Sequence, residues 1–168
     1  PVIRGLEGWF TFDTETGRFG FNRAIGKQDA SIVGSPKAFA THGRFTGNES
    51  YLQTQIAETD GITIIAVCKA VAAPTSTADA VMYAGNFQSP VASPGYSGNV
   101  GASLFTASLG NISGGAGRDN GSGGTTSGVN SLAGDVATEW GIRAMRSVSG
   151  SPSKTFNLTR GASAIGST

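Results

Sequence analysis

The sequence predicts an all-β fold of short strands joined by many turns, and three observations carry that expectation. Glycine supplies 26 of the 168 residues, about twice ordinary usage, and Gly, Ser, Thr and Asn crowd out the Glu, Lys and Leu from which helices are built. The strongest apolar run, Ile62–Val71 (ITIIAVCKAV), is rich in β-branched residues, which suit a pleated strand better than a helix. Turn dipeptides and Gly/Pro clusters punctuate the rest of the chain. At this length the expectation is one domain spanning residues 1–168.

Taken in order, Leu6–Asp13 (LEGWFTFD) reads as an aromatic-rich first strand bounded by turn residues. Ala30–Gly34 is a short apolar piece closed by Gly-Ser-Pro, and Ala38–Thr41 follows it. Arg44–Phe45 and Tyr51–Gln55 flank the turn pair Gly47-Asn48 and read as a hairpin. In Ile62–Val71 both alternating faces are mostly apolar, which predicts a central strand covered on each side. Ala80–Ala84, Ala102–Ser108, Trp140–Val148 and Thr155–Thr159 complete the set. Within Gly141–Val148, Arg146 falls on the same alternating face as Ile142, Ala144 and Val148, so either it joins an apolar face or a bulge intervenes. Gly110–Gly134 (GNISGGAGRDNGSGGTTSGVNSLAG) has little to bury and reads as a long Gly-rich loop. No helix is expected after its glycines, which argues against a dinucleotide fingerprint.

Composition also narrows the function classes. Twelve basic against eleven acidic residues leave a net charge of +1, with no basic face to neutralise phosphates, so nucleic acid is not an expected partner. No run approaches the ~18 apolar residues of a membrane helix, so no membrane insertion is expected, and no secretory leader pattern is visible. Cys68 is the single cysteine, which rules out an intrachain disulfide, and its apolar setting reads as a buried small hydrophobe. A domain without disulfides suits an intracellularly folded product, such as a phage virion protein, better than a disulfide-rich secreted one. The chain begins at Pro1, from which processing, or excision from a longer protein, is expected.

Several short motifs, in this order, resemble the concanavalin A-like/laminin-G-like jelly-roll family, in its phage or bacterial branch. They are Leu6, Gly8, Trp9, Phe12 and Asp13; Asp29-Ala30-Ser31-Ile32-Val33-Gly34-Ser35-Pro36; Gly43-Arg44-Phe45 with Gly47 and Tyr51-Leu52; Ile62–Lys69; and Glu139-Trp140 through Ala144, followed by Phe156–Gly161. The resemblance implies an antiparallel two-sheet jelly-roll sandwich, with Trp9, Phe12, Phe45, Tyr51 and Trp140 packed in the core. Such domains usually continue past the Arg160-Gly161 position. The closing strands are therefore expected to be absent, replaced, or supplied by a neighbour, and an open edge invites pairing with another chain.

Catalytic residues are not expected. Glycoside cleavage needs two carboxyl groups flanking the bond; Glu58 and Asp60, or Asp13 and Glu15, are spaced by two but sit at turns or strand ends. His42 is the only histidine; no Gly-x-Ser-x-Gly elbow accompanies it, and one His with one Cys cannot build a zinc site. Calcium enters through the resemblance, since related domains bind it with loop oxygens. The candidate ligands are Asp13, Asn22 and Asp29, with Asp119-Asn120 as a second set. Asp13 reads equally as a turn cap. Glycan contacts are expected in the Pro/Gly-rich loop Gly85–Gly98 and just beyond it, from Asn86, Phe87, Gln88, Tyr96 and Asn99, because loops on a rigid sandwich commonly carry binding.

The expected function is thus a non-enzymatic, virion-associated or extracellular domain of a tail fibre, spike or decoration protein. Its expected partners are other copies of itself, other virion proteins, or cell-surface polysaccharide. The alternatives are a carbohydrate-binding module of a secreted bacterial enzyme or adhesin, and a polysaccharide-degrading jelly roll.

Overall fold

A computed structural model of the chain describes residues 4–12, 19–46, 49–56, 61–75, 81–85, 101–107, 111–119, 125–148 and 151–165, and among them the regular structure is entirely β. The chain divides into two compact units, Pro1–Ala57 and Glu58–Thr168.

The first unit is built on a long hairpin. Strand β1 (Ser31–Val33) pairs antiparallel with β4 (Tyr51–Gln53), and inside that ladder β2 (Lys37–Ala38) pairs with β3 (Gly43–Arg44). The expected hairpin of Arg44–Phe45 with Tyr51–Gln55 is therefore replaced by a nested pairing. Gly34 explains the step between the two ladders. It adopts φ +73°, and a Cβ there would fall on the Glu49 carbonyl oxygen, so only glycine fits. At the tip, Phe39 N–H bonds the His42 carbonyl at 2.8 Å, and the two rings stack 4.7 Å apart.

The expected strand Leu6–Asp13 is reduced to a single bridge between Phe10 and Asn22. The Asn22 side chain takes the Trp9 N–H at 3.0 Å, doing the work of a ladder carbonyl and ending the strand pairing there. Phe12, Phe19 and Phe45 form an aromatic trio with centroids 5.6–5.9 Å apart, a spacing at which edge contacts are favourable. Phe12 and Phe45 are half-buried, but Trp9 and Tyr51 are exposed, as is Trp140 in the second unit. The core role expected for those three is not met: Trp9 is 56%, Tyr51 47% and Trp140 47% exposed.

The second unit consists of two four-stranded antiparallel sheets. One has the order β12-β11-β10-β5, from Ala162–Ile165, Ser151–Asn157, Gly141–Val148 and Ile62–Cys68; the other is a meander of β6 (Val81–Gly85), β7 (Gly101–Ala107), β8 (Asn111–Asp119) and β9 (Thr125–Leu132). Ala102, Leu104 and Ile112 of the meander meet Met145 of the first sheet, with Ile62, Ile64, Ala66, Tyr83 and Leu132 packed around them. This is an antiparallel β-sandwich.

Two expectations change here. The Gly-rich segment expected as a loop contributes β8 and β9, paired in unbroken register from Ile112↔Leu132 to Asp119↔Thr125. A ladder needs backbone groups rather than bulky side chains, and smallness serves packing: a Cβ on Gly114 would lie 2.5 Å from Met145 Cβ and 2.8 Å from Thr155 Oγ1. The strand expected to be central at Ile62–Val71 runs from Ile62 to Cys68 and, among the described residues, is an edge strand with one exposed face. β7 is buried on both sides, with Ser103 and Phe105 on one face and Ala102, Leu104 and Thr106 on the other all fully buried, and consecutive residues Ile112 and Ser113 of β8 are buried too. The Gly/Ser/Ala-rich stretch after Arg160 supplies β12, which pairs with β11 from Asn157↔Ala162 to Lys154↔Ile165.

Candidate functional site

The ambiguity in β10 resolves in favour of its polar-looking face. Arg143, Met145 and Ser147 point into the sandwich, while Ile142, Arg146 and Val148 are exposed. A register shift against β11 also falls between Arg146 and Val148. A buried Arg143 demands partners, because an isolated charge in an apolar interior is very costly. Its Nε donates to Asp135 Oδ2 at 2.9 Å, and both side chains are 1% exposed. Nη1 donates to the Cys68 carbonyl, and Nη2 to the carbonyls of Val136 and Glu139 at 3.0 and 3.3 Å. The other oxygen of Asp135 accepts from Asn157 Nδ2 at 2.9 Å. Tyr83 presents its ring 5.5 Å from the guanidinium, a cation–π distance, and its hydroxyl bonds Thr106 Oγ1 at 2.7 Å.

This cluster joins β5, β6, β10, β11 and the loop before β10. Burial works against the Arg143 charge, but the hydrogen bond to Asp135, the charges of Tyr83 and Asp135 and the bond to Cys68 together outweigh it and raise the Arg143 pKa. Burial pushes the Cys68 thiol up to about 11, with Arg143 offsetting only part of the shift, so the thiol stays protonated and unreactive near neutrality. Burial likewise raises the Tyr83 hydroxyl above its ordinary value. Both guanidinium ends and both carboxylate oxygens are engaged within the protein. The cluster therefore acts as a clamp, and a substrate would have to displace existing bonds. Asn157, which formally opens an Asn-x-Thr glycosylation triplet, is buried within it.

Of the candidate calcium ligands, Asn22 and Asp29 lie among the described residues. Asn22 is buried; its Oδ1 accepts from Trp9 N and Ala24 N, and its Nδ2 donates to the Glu7 and Gln28 carbonyls. Asp29 Oδ1 accepts from Asn22 N at 2.8 Å. The pair closes the loop between them, and the Asn22 oxygen faces two N–H donors instead of open space. Asp13 lies outside the described residues, as do Glu15, Glu58, Asp60 and Asn120. Among the described residues no group of three or more His, Cys, Asp or Glu is placed to hold a metal. The expected glycan contacts Asn86, Phe87, Gln88, Tyr96 and Asn99 also lie outside the described residues. His42 sits at the exposed hairpin tip against Phe39, its Nδ1 3.3 Å from Thr41 Oγ1.

What the sequence reading missed is a surface. On the outer face of the β5–β10–β11 sheet, one cross-strand row is Ile65, Ala144 and Phe156, set by the registers Ala144↔Ile65 and Ala144↔Phe156. A second row places Val67 opposite Ile142, with exposed Leu158 beside them through its N–H bond to the Ile142 carbonyl. Ile65 is 61% and Val67 68% exposed. A third row, Thr63, Arg146 and Lys154, bounds the patch with two cations. Lys69 lies over the exposed Trp140 ring, 5.5 Å from its centroid. The signal for this patch was present in the two-faced apolarity of Ile62–Val71, which had been assigned to double cover. Comparisons with protein-family models, with curated proteins and with solved structures found no match to this chain.

Proposed function

We propose that this chain is a non-enzymatic module for assembly and surface recognition in a virion or other extracellular particle, of the jelly-roll type that its motifs resemble. The observation that carries this reading is the exposed apolar face of β5 and β10, centred on Ile65, Val67 and Ile142. Contiguous apolar surface rimmed by polar groups marks interaction sites, and here the rim is Thr63, Arg146 and Lys154. The buried Arg143–Asp135 clamp supports the same reading, because the ionisable groups it buries are used in holding strands together.

The test measures the native mass at low micromolar concentration against the denatured subunit, alongside a glycan array and a reducing-sugar assay on bound polysaccharides. A multiple of the 17.0 kDa chain mass, or glycan capture without turnover, is the expected result. A monomer that captures no glycan, or release of reducing ends, would overturn the reading.

A further inference from the structure

We infer that β5 pairs edge to edge with β5 of a second copy, antiparallel and centred on Ile65, joining two four-stranded sheets into one of eight strands. The inference rests on the assembly reading and names its partner.

The four outer strands of the two sheets are not equivalent. Natural edges are blunted by shortness, bulges, charge or polar composition. β12 has four residues, β6 has five with a register shift between Met82 and Ala84, and β9 reads TTSGVNSL, mostly polar or glycine. β5 has none of these devices. It runs seven residues, ITIIAVC, without a charge, Pro or Gly, and its register with β10 is unbroken from Ile62 to Cys68. Among the described residues no strand pairs with its outer side.

Charge selects the occupant and the direction. A two-fold axis at Ile65 sets Ile65 against itself, Thr63 against Val67 of the second copy, Ile64 against Ala66, and Ile62 against Cys68. Lys69 then faces Gly61, so no like charges are opposed. A parallel in-register pairing would instead set Lys69 against Lys69, which is unfavourable across a strand pair. The two-fold arrangement also carries Arg146 and Lys154 of the two copies to opposite ends of the joined sheet. Each copy thereby extends the apolar row of the other. The same patch meets itself, as in the commonest closed oligomers.

The experiment is sedimentation velocity of the full chain over a concentration series, with Ile65→Lys and Ile65→Cys variants. The Ile65 side chain is 61% exposed, so unchanged circular dichroism and melting confirm that each variant folds. The expected result is a wild-type dimer whose dissociation constant rises at least about tenfold in Ile65→Lys, a lysine at the edge being a natural blunting device. A short thiol cross-linker should join Ile65→Cys chains, with peptide mapping placing the bond at position 65 in both. The wild type should not be joined, because Cys68 lies opposite Ile62 in this register. An assembly that survives Ile65→Lys would overturn the edge pairing and leave the assembly reading standing. A wild-type monomer that captures glycans would overturn the pairing and leave recognition standing.

Discussion

Arg143 Nε and Asp135 Oδ2 meet at 2.9 Å with each side chain only 1% exposed, so a salt bridge lies where the sequence offered a strand of alternating apolar residues. The pair is held by four further polar bonds, to Cys68, Val136, Glu139 and Asn157. A buried pair is weak evidence of net stabilisation, yet breaking one is costly, since the remaining charge is stranded.

Arg143→Met is therefore expected to lower unfolding free energy by roughly 3–5 kcal/mol, read from urea transitions with unchanged slope. Adding Asp135→Leu should recover part of that loss, because no buried charge then lacks its partner. Full recovery is not expected, as three backbone carbonyls lose their donors. A double variant no more stable than Arg143→Met would show that the two residues are not energetically coupled.

Gly114 sits on β8 facing the other sheet, with Met145 Cβ 2.5 Å from where its Cβ would be. Gly114→Ala should cost about 1–3 kcal/mol through overpacking, seen as a lowered thermal midpoint. Gly61→Ala is the control. Its added Cβ would meet only the Ser147 carbonyl oxygen, at 3.9 Å, and a change within about 0.5 kcal/mol is expected. Equal effects at the two sites would contradict the sheet packing described.

Cys68 titrates near 11 in the fold against an ordinary 9.0. The folded chain thus keeps the thiol proton where the unfolded chain loses it. The contribution to stability is complete below about pH 9 and declines as pH rises towards 11. Tyr83, raised by burial from 10.0, adds a decline of the same sign above its own ordinary value. Urea midpoints from pH 7 to 11 should fall more steeply in the wild type than in Cys68→Ser. Parallel curves would mean that the thiol is not buried as described. Native Cys68 should also react with thiol reagents at pH 8 far more slowly than the unfolded chain.

Much of the strand content was legible because it is a local property. β-branched residues and alternation marked Val81–Gly85, Gly101–Ala107 and Gly141–Val148 to within one residue at each end, and Ile62–Cys68 to within three. The hairpin at Ser31–Gln53 was legible as strands but not as pairing, because the step that nests one ladder in the other depends on Gly34 passing the Glu49 carbonyl. Asn22 and Asp29, expected as calcium ligands, fasten backbone N–H groups in the structure. An amide and a carboxylate in a loop have the same composition whether they bind a cation or a neighbouring N–H.

By itself the sequence determined that this protein is β-structured, lacks disulfides and carries almost no net charge, because these follow from residue types and their nearest neighbours. Only the tertiary structure decided which face of each strand is the inside. β10 turns Arg143 inward because Asp135 and the carbonyls of Cys68, Val136 and Glu139 are there to receive it. Gly114 of β8 is glycine because Met145 and Thr155 need the space that a side chain would fill. Ile65 and Val67 stay in the open because Ile62, Ile64 and Ala66 take the face of β5 that packs on the core. Period-two alternation assigns residues to two faces, and the choice between those faces belongs to whatever packs against them.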